Sequence, residues 1–377
     1  MTIRIDPKLL ASALSTLKAV PDKANKIPIA QLYLFEPAAG GIMVRATDMD
    51  METALRLDCQ ADFAPVCLQP YLVETGSRLA AETVEFSFGE KEATVKAGRA
   101  RYKAQLMPGA DFPRLDPEFG SVVEIAGNAL ATLVDASVDA TAAPGGTRYY
   151  LEGIFVETAD GRLHATATDG NRLQHASIAV PATVRLAEGI IVPTKAARQI
   201  ADLGRRAGGN AIRLHIGATG IRAEAEREAF TSKLVEGTYP NWRRVVPELS
   251  GNAATVDLAE MVAALDRVSK VMNAAQLGDK DEVAGYGVRL AADGEWLTIS
   301  SRFAEAADAV RAEFQGEFPA LGVSVRFLHA TLSDMRDRGA ETVTLDAANG
   351  DGAPIRLDSP TDEDFVAIVM PMRVWSA

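Results

Sequence analysis

The sequence predicts an α+β protein built of three similar domains, each with two helices packed on antiparallel sheet. Two observations carry this. The first is an internal repeat. MVRATDMDMETALRL from Met43 and HATATDGNRLQHASI from His164 each run as a short strand into Ala-Thr-Asp and then resume, which sets Thr47 and Thr168 121 residues apart. A weaker copy, LTISSRFAEAADAVRAEF from Leu297, has Ser300 and Ser301 at that corner. The second is the alternation, within each repeat, of segments with helical period and segments that read as strand, Gly-containing turn and strand.

A second landmark fixes the boundaries. RYKAQLMPGADFPRL (Arg101 to Leu115), FTSKLVEGTYPNWRRV (Phe230 to Val245) and DFVAIVMPMRV (Asp364 to Val374) are each a strand followed by a turn. Aligning Leu106, Val235 and Val369 gives spacings of 129 and 134, so the 377 residues divide into domains at 1–120, 121–250 and 251–377. The first helix of each repeat has a single apolar face: Leu10, Leu14 and Leu17; then Leu130, Leu133, Val134 and Val138; then Leu258, Met261, Val262, Leu265 and Val268. Asp6 before Pro7 predicts an N-cap with proline at the first helical position. The second helices are expected in LQPYLVETGSRLA, PTKAARQIADLGRR and SVRFLHATLSDMRDRG. Hairpins separated by helices place the helices on one sheet face.

Composition narrows the function. A hydrophobic content of 47% suffices for large cores, and no run approaches the roughly 20 apolar residues of a membrane helix. The opening MTIRIDPKLL has neither an apolar core nor a cleavage site, so a cytoplasmic location is expected. Cys59 and Cys67 lack the spacing of a zinc or disulfide framework. No P-loop, dinucleotide fingerprint, HExxH or nucleophile elbow occurs, so the expectation is a protein that is not an enzyme and has no cofactor. Asp48, Asp50 and Glu52 alternate on an expected strand and read as an exposed acidic face rather than a metal site. NGDG, Asn349 to Gly352, reads as a turn.

The net charge of −12 argues against a surface that grips nucleic acid by neutralising phosphates. The basic residues are nevertheless patterned. Lys195, Arg198 and Arg205 fall within one narrow stripe of the second helix of the middle repeat, and Arg326, His329 and Arg336 recur at that spacing. In the first repeat the matching positions hold Leu68, Tyr71 and Arg78. Helices facing a common centre would line a channel with this charge and leave the acidic excess outside.

The segments ATDMDME, TRYYLEG, ATATDGNRLQ, EGTYPNWRRVVP and VMPMRV resemble, in order and spacing, those of the bacterial sliding clamp family, the β subunit of DNA polymerase III. The resemblance spans most of the chain. It implies a head-to-tail homodimer closed into a ring around double-stranded DNA, with Tyr102 of the first repeat meeting the third repeat's helix around Val271 and Met272. It also implies a hydrophobic pocket between the second and third domains where short linear motifs of DNA polymerase subunits and the clamp loader dock. Carried over by position, the wall on the second domain comprises Leu151, Thr168, Gly170, Asn171, Arg172 and Leu173, followed by Pro240, Arg244 and Val245. The third domain contributes Phe327, Ile368, Met370, Pro371, Met372, Arg373 and Val374. Apolar residues would form the floor, Met would adapt to different peptides, and Arg would form the rim. The loop PGGTRYYLEG brings together Arg148, Tyr149 and Tyr150, which can stack on bases or lie along the sugar-phosphate backbone.

The sequence departs from the family pattern at Asn171, where histidine is usual, at Ser324 and Phe327, and at Gly285. It also has a long segment NAAQLGDKDEVAGYG and a tail extended by Trp375, Ser376 and Ala377. These bear on partner choice rather than on the ring, and fit a divergent, second-copy or mobile-element clamp. The alternative from another class is an adaptor that binds peptides at the same pocket without encircling DNA.

Overall fold

The computed structural model describes residues 2–21, 26–59, 61–181, 186, 188–275, 287–301, 305–348 and 352–373. Val374 to Ala377, Gly285 with the rest of 276–286, and 349–351 of the NGDG turn lie outside them. Along the described residues one order of elements occurs three times: strand, helix, four strands, helix, three strands. The first pass is β1 (Thr2–Ile5), α1 (Pro7–Leu17), β2 (Tyr33–Ala38), β3 (Gly41–Thr47), β4 (Met51–Asp58), β5 (Val66–Leu68), α2 (Pro70–Ser77), β6 (Val84–Phe88), β7 (Glu92–Ala97) and β8 (Ala100–Pro108). The second is β9 (Ser121–Ala126), α3 (Gly127–Val138), β10 (Gly153–Ala159), β11 (Arg162–Thr168), β12 (Arg172–Ala179), β13 (Ile190–Pro193), α4 (Thr194–Ala207), β14 (Ala211–Ile216), β15 (Gly220–Glu224) and β16 (Glu228–Lys233). The third is β17 (Ala253–Asp257), α5 (Leu258–Ala275), β18 (Gly287–Asp293), β19 (Trp296–Ser301), β20 (Ala306–Gln315), β21 (Leu321–Ser324), α6 (Val325–Asp337), β22 (Thr342–Ala347), β23 (Ile355–Asp358) and β24 (Phe365–Val369).

The chain forms two compact units, Met1–Ala131 with Arg198–Leu234, and Thr132–Ala197 with Val235–Ala377. Each contains one twelve-stranded antiparallel sheet. In the first unit the order is β1-β6-β7-β8-β5-β2-β3-β4-β16-β15-β14-β9. In the second it is β13-β10-β11-β12-β24-β23-β22-β17-β20-β19-β18-β21. Each sheet therefore runs from one repeat into the next at a single strand pair, β4 with β16 in the first unit and β12 with β24 in the second.

The backbone at these two pairs matches atom for atom. Lys233 N–H donates to Asp50 O at 2.9 Å, and Met370 N–H donates to Asn171 O at 2.8 Å. Met370 is thus the counterpart of Lys233, 137 residues on, which moves the sequence alignment of this strand by three residues. Residue type alone aligns the apolar runs three residues out of register, whereas the ladder hydrogen bonds set the register.

The expected helix faces are buried. Leu10, Leu14 and Leu17 join Val44, Phe86 and Val95 in the first repeat's core, and every apolar position named on α3 and α5 is buried. Asp6 caps α1, its Oδ1 accepting from Lys8 N at 2.8 Å, with Pro7 at the first helical position. The helix α2 has only 8 residues, against 14 in α4 and 13 in α6. Pro70 begins it and holds the preceding residue extended, so Leu68 lies in β5, fully buried, and is not a position of the helix stripe.

Candidate docking site

The Ala-Thr-Asp corner is one hydrogen-bonded turn made twice. In the second unit Thr168 Oγ1 donates to Arg172 O at 2.6 Å and accepts from Gly170 N, while Asp169 Oδ1 accepts from Asn171 N and Arg172 N. In the first unit Thr47 Oγ1 donates to Met51 O at 2.8 Å and accepts from Met49 N, while Asp48 Oδ1 accepts from Asp50 N and Met51 N. The third residue of the turn needs a left-handed backbone: Gly170 has φ +92° and Met49 has φ +79°. At Gly170 a Cβ would also meet Arg148 Nη1 at 2.5 Å, and Arg148 Nη2 donates to Asp169 O at 3.0 Å. This pins the Arg148–Tyr150 loop to the corner.

Beyond the corner β12 carries Leu173 opposite Ile368 of β24. These two and Trp242 form a buried apolar cluster, bordered by Phe155, Val246 and Val366. A second cluster of Leu151, Ile191 and Tyr239 adjoins it through Phe155, whose ring stacks on Tyr239 with centroids 4.8 Å apart. After β24 the chain continues along β21: Pro371 bridges Val323, and Met372 N–H donates to Gly322 O at 2.9 Å. Met370, Pro371 and Met372 are half-buried, whereas Pro240, Arg244, Val245 and Arg373 are exposed. The expected floor and edge therefore fall within one unit. Val374 lies outside the described residues.

Arg172 is not at the rim. Its guanidinium donates to Asp139 O, contacts Asp169 Oδ2 at 3.4 Å and lies over the Phe327 ring at 5.3 Å, because β12 turns this side chain toward α6, opposite to Leu173. Trp242, which sequence reasoning missed, is stacked between Arg243 at 4.4 Å and His175 at 4.2 Å, and His175 faces His164. Burial, reinforced by His164, Arg243 and Arg162, pushes the His175 pKa down to about 3, so the imidazole is neutral. Glu157 holds the segment in place, accepting from Trp242 Nε1 at 2.9 Å and Arg243 Nη1 at 2.6 Å.

The first unit contains the counterpart of this site with different chemistry. Opposed in the ladder there are Glu52 and Thr231, followed by Lys233, where the second unit has Leu173, Ile368 and Met370. Glu52 is 3% exposed. Arg45 lies between it and Glu36 at 2.7 Å from each, Glu52 Oε2 accepts from Leu115 N, and Arg114 reaches Glu36 at 3.2 Å. The Glu36–Arg114 pair repeats as Glu157–Arg243 at the expected spacings of 121 and 129. The reading of Asp48, Asp50 and Glu52 as an exposed acidic strand face is corrected: Asp48 caps the turn, Asp50 pairs with Lys233 at 2.9 Å, and Glu52 is buried with Arg45. Among the described residues no group of three or more His, Cys, Asp or Glu could hold a metal.

Arg78, Lys195, Arg198, Arg205, Arg326 and Arg336 are exposed, with Arg205 bound to Asp202 and Arg336 to Asp337; His329 is half-buried. Tyr149 is 54% exposed and meets the half-buried Tyr150 edge to face, with centroids 5.8 Å apart. Tyr102 and Val271 are 44% and 48% exposed, but Met272 is 1% exposed and belongs to the core. Adjacent helical residues point about 100° apart, so Val271 and Met272 cannot both face outward.

The N-terminal domain of the DNA polymerase III beta subunit matches residues 1–116, and the central domain of that subunit matches residues 124–241. The beta sliding clamp of Caulobacter vibrioides is 28% identical over 387 residues, covering 99% of this chain and all of the relative. That of Pseudomonas aeruginosa is 26% identical over 379 residues with the same coverage. Among solved structures, the DNA polymerase III subunit beta of P. aeruginosa superposes with a TM-score of 0.89 at 25% identity, and the Caulobacter crescentus DNA polymerase sliding clamp with 0.87 at 26%, each over 99% of this chain and 100% of the other. A sliding clamp from P. aeruginosa bound to griselimycin matches with a TM-score of 0.87 at 25% identity over 99% of both chains.

Proposed function

The chain belongs to the DNA polymerase III β subunit family, and from that premise we propose that it is a sliding clamp: a head-to-tail homodimer that encircles duplex DNA and tethers polymerase subunits and the clamp loader. The observation that carries this reading is an unfinished series of strand pairs. The fourth strand of one repeat pairs with the eighth of the next, β4 with β16 and β12 with β24. Their remaining counterparts, β20 and β8, are paired over residues 306–311 and 100–105 with β19 and β7, and among the described residues no strand pairs with their other edges there. A second copy completes the series twice, β8 of each chain meeting β20 of the other, and closes six repeats head to tail. Tyr102 on β8 and Val271 on α5 are the side chains proposed for that contact.

In this reading the domains are 1–120, 121–250 and 251–377, and Arg78, Lys195, Arg198, Arg205, Arg326 and Arg336 face the DNA with Tyr149 beside Arg148 and Tyr150. Few phosphate contacts suffice for an encircling protein and leave it free to slide, which reconciles the role with a net charge of −12. The Leu173–Trp242–Ile368 cluster and Met370–Met372 take the apolar anchors of a partner's short peptide. The counterpart with Glu52, Thr231 and Lys233 is closed by its ion pairs, which favours one docking site per chain. A tethered polymerase rebinds intramolecularly, so no bond need be made or broken by the clamp and no cofactor is required. The site of action is the cytoplasm, where a bacterial replication fork lies.

The test is retention on DNA. Loaded onto nicked circular DNA by a clamp loader, the protein should stay bound through a high-salt wash and be lost when the circle is cut. Peptide binding without any difference between circular and linear DNA would instead support the adaptor.

A further inference from the structure

We propose that Gln174 and Asp334 form a proton-linked tie between β12 and α6, in which the buried carboxamide takes one of two orientations according to whether Asp334 carries a proton. Gln174 is completely buried, and its Nε2 donates to Asp334 Oδ2 at 2.7 Å. Its Oε1 is buried as well and has no hydrogen-bond partner among the described residues. An ionised carboxylate can only accept, so it draws the NH₂ end of the amide and strands the oxygen. A protonated carboxyl can donate to that oxygen once the amide has turned over. The choice between orientations is therefore tied to one proton.

The surroundings favour the proton. Burial is the main cause, and the carboxylates of Asp139 after α3 and Asp337 on α6 add to it. Gln174 and the Arg172 guanidinium on β12 work the other way, and the balance raises the Asp334 pKa to about 6. The native state then holds a proton that the unfolded chain gives up near 3.8, so this group's contribution to stability declines as pH rises through about 6. Asp334 lies two turns from Phe327 on α6, and Gln174 lies two residues from Arg172 on β12, so the tie shares a seam with the Arg172–Phe327 contact.

An asparagine at this position can accept from Gln174 Nε2 or donate to Gln174 Oε1, and does either without charge at any pH. D334N is therefore expected to melt about 2–4 °C above wild type at pH 8, with the difference falling to about half at pH 5. A lower melting temperature at pH 8, or an equal difference at both values, would overturn the proposal. Carboxyl-detected NMR of the wild-type chain gives an independent reading: Asp334 should titrate near pH 6, and titration in the ordinary aspartate range would refute the tie.

Discussion

His175 makes the chain's stability depend on pH, and the size of the effect follows from its burial. The ring is stacked between His164 and Trp242, and Thr166 Oγ1 lies 2.9 Å from its Nδ1. The surroundings hold its pKa at about 3 in the native state against 6.5 for a free side chain. Between these values the unfolded chain binds a proton and the native chain does not, so stability falls as pH is lowered from about 6.5. At pH 5 the loss relative to pH 8 is about 2 kcal/mol. Asp334 acts with the opposite sign over part of the same range, so the quantity to measure is a difference between proteins. Urea midpoints of wild type and His175→Gln should be collected from pH 8 to pH 5. The variant, which has no imidazole to charge, is expected to start less stable and to lose roughly 2 kcal/mol less over that range. Parallel curves would mean that His175 is protonated in the native state, and would refute the description of the Trp242 stack.

Three further outcomes are expected. At the two corners, Gly170→Ala should destabilise by about 1–2 kcal/mol, because its φ is left-handed and a Cβ displaces Arg148, whereas Met49→Gly should leave stability unchanged or raise it; urea unfolding of both variants checks this. Arg45→Met should cost about 3–5 kcal/mol in the same assay, since it leaves Glu36 and Glu52 facing one another, one of them buried, without their shared cation. Deleting Met370 to Ala377 removes the backbone bonds to Asn171 and Gly322 and should weaken a docking peptide at least tenfold, about 1.4 kcal/mol by calorimetry, while deleting only Val374 to Ala377 leaves those bonds in place.

Much of the architecture was legible because it is repeated. Thr47 and Thr168 marked the corner, and the structure puts the same four hydrogen bonds around each. The apolar stripes of α1, α3 and α5 were readable because burial of one helix face imposes a period of 3.6. What escaped notice depends on contacts between strands. Trp242, His175 and Glu157 meet only when the segment after β16 folds over β10 and β12. One trace of this was available, the recurrence of Glu36 and Arg114 as Glu157 and Arg243, but a single Glu or Arg has little weight without a known partner. Residue type alone puts Arg172 at a rim, because Arg is usually exposed, and only strand parity shows that it points toward Phe327. The resemblance pairs Met272 with Val271 as a contact, although neighbours on a helix diverge. The three-residue register error shows the same limit, since residue type aligns apolar runs and hydrogen bonds align strands.

The most direct test of the closed ring is the mass of the protein in solution, measured by light scattering across a range of concentrations. A stable species of twice the 40.1 kDa chain mass is expected, and replacing exposed Tyr102 on β8 with Asp should shift it toward the single chain. A wild-type protein that is monomeric at every concentration would contradict the pairing of β8 with β20 and, with it, the ring.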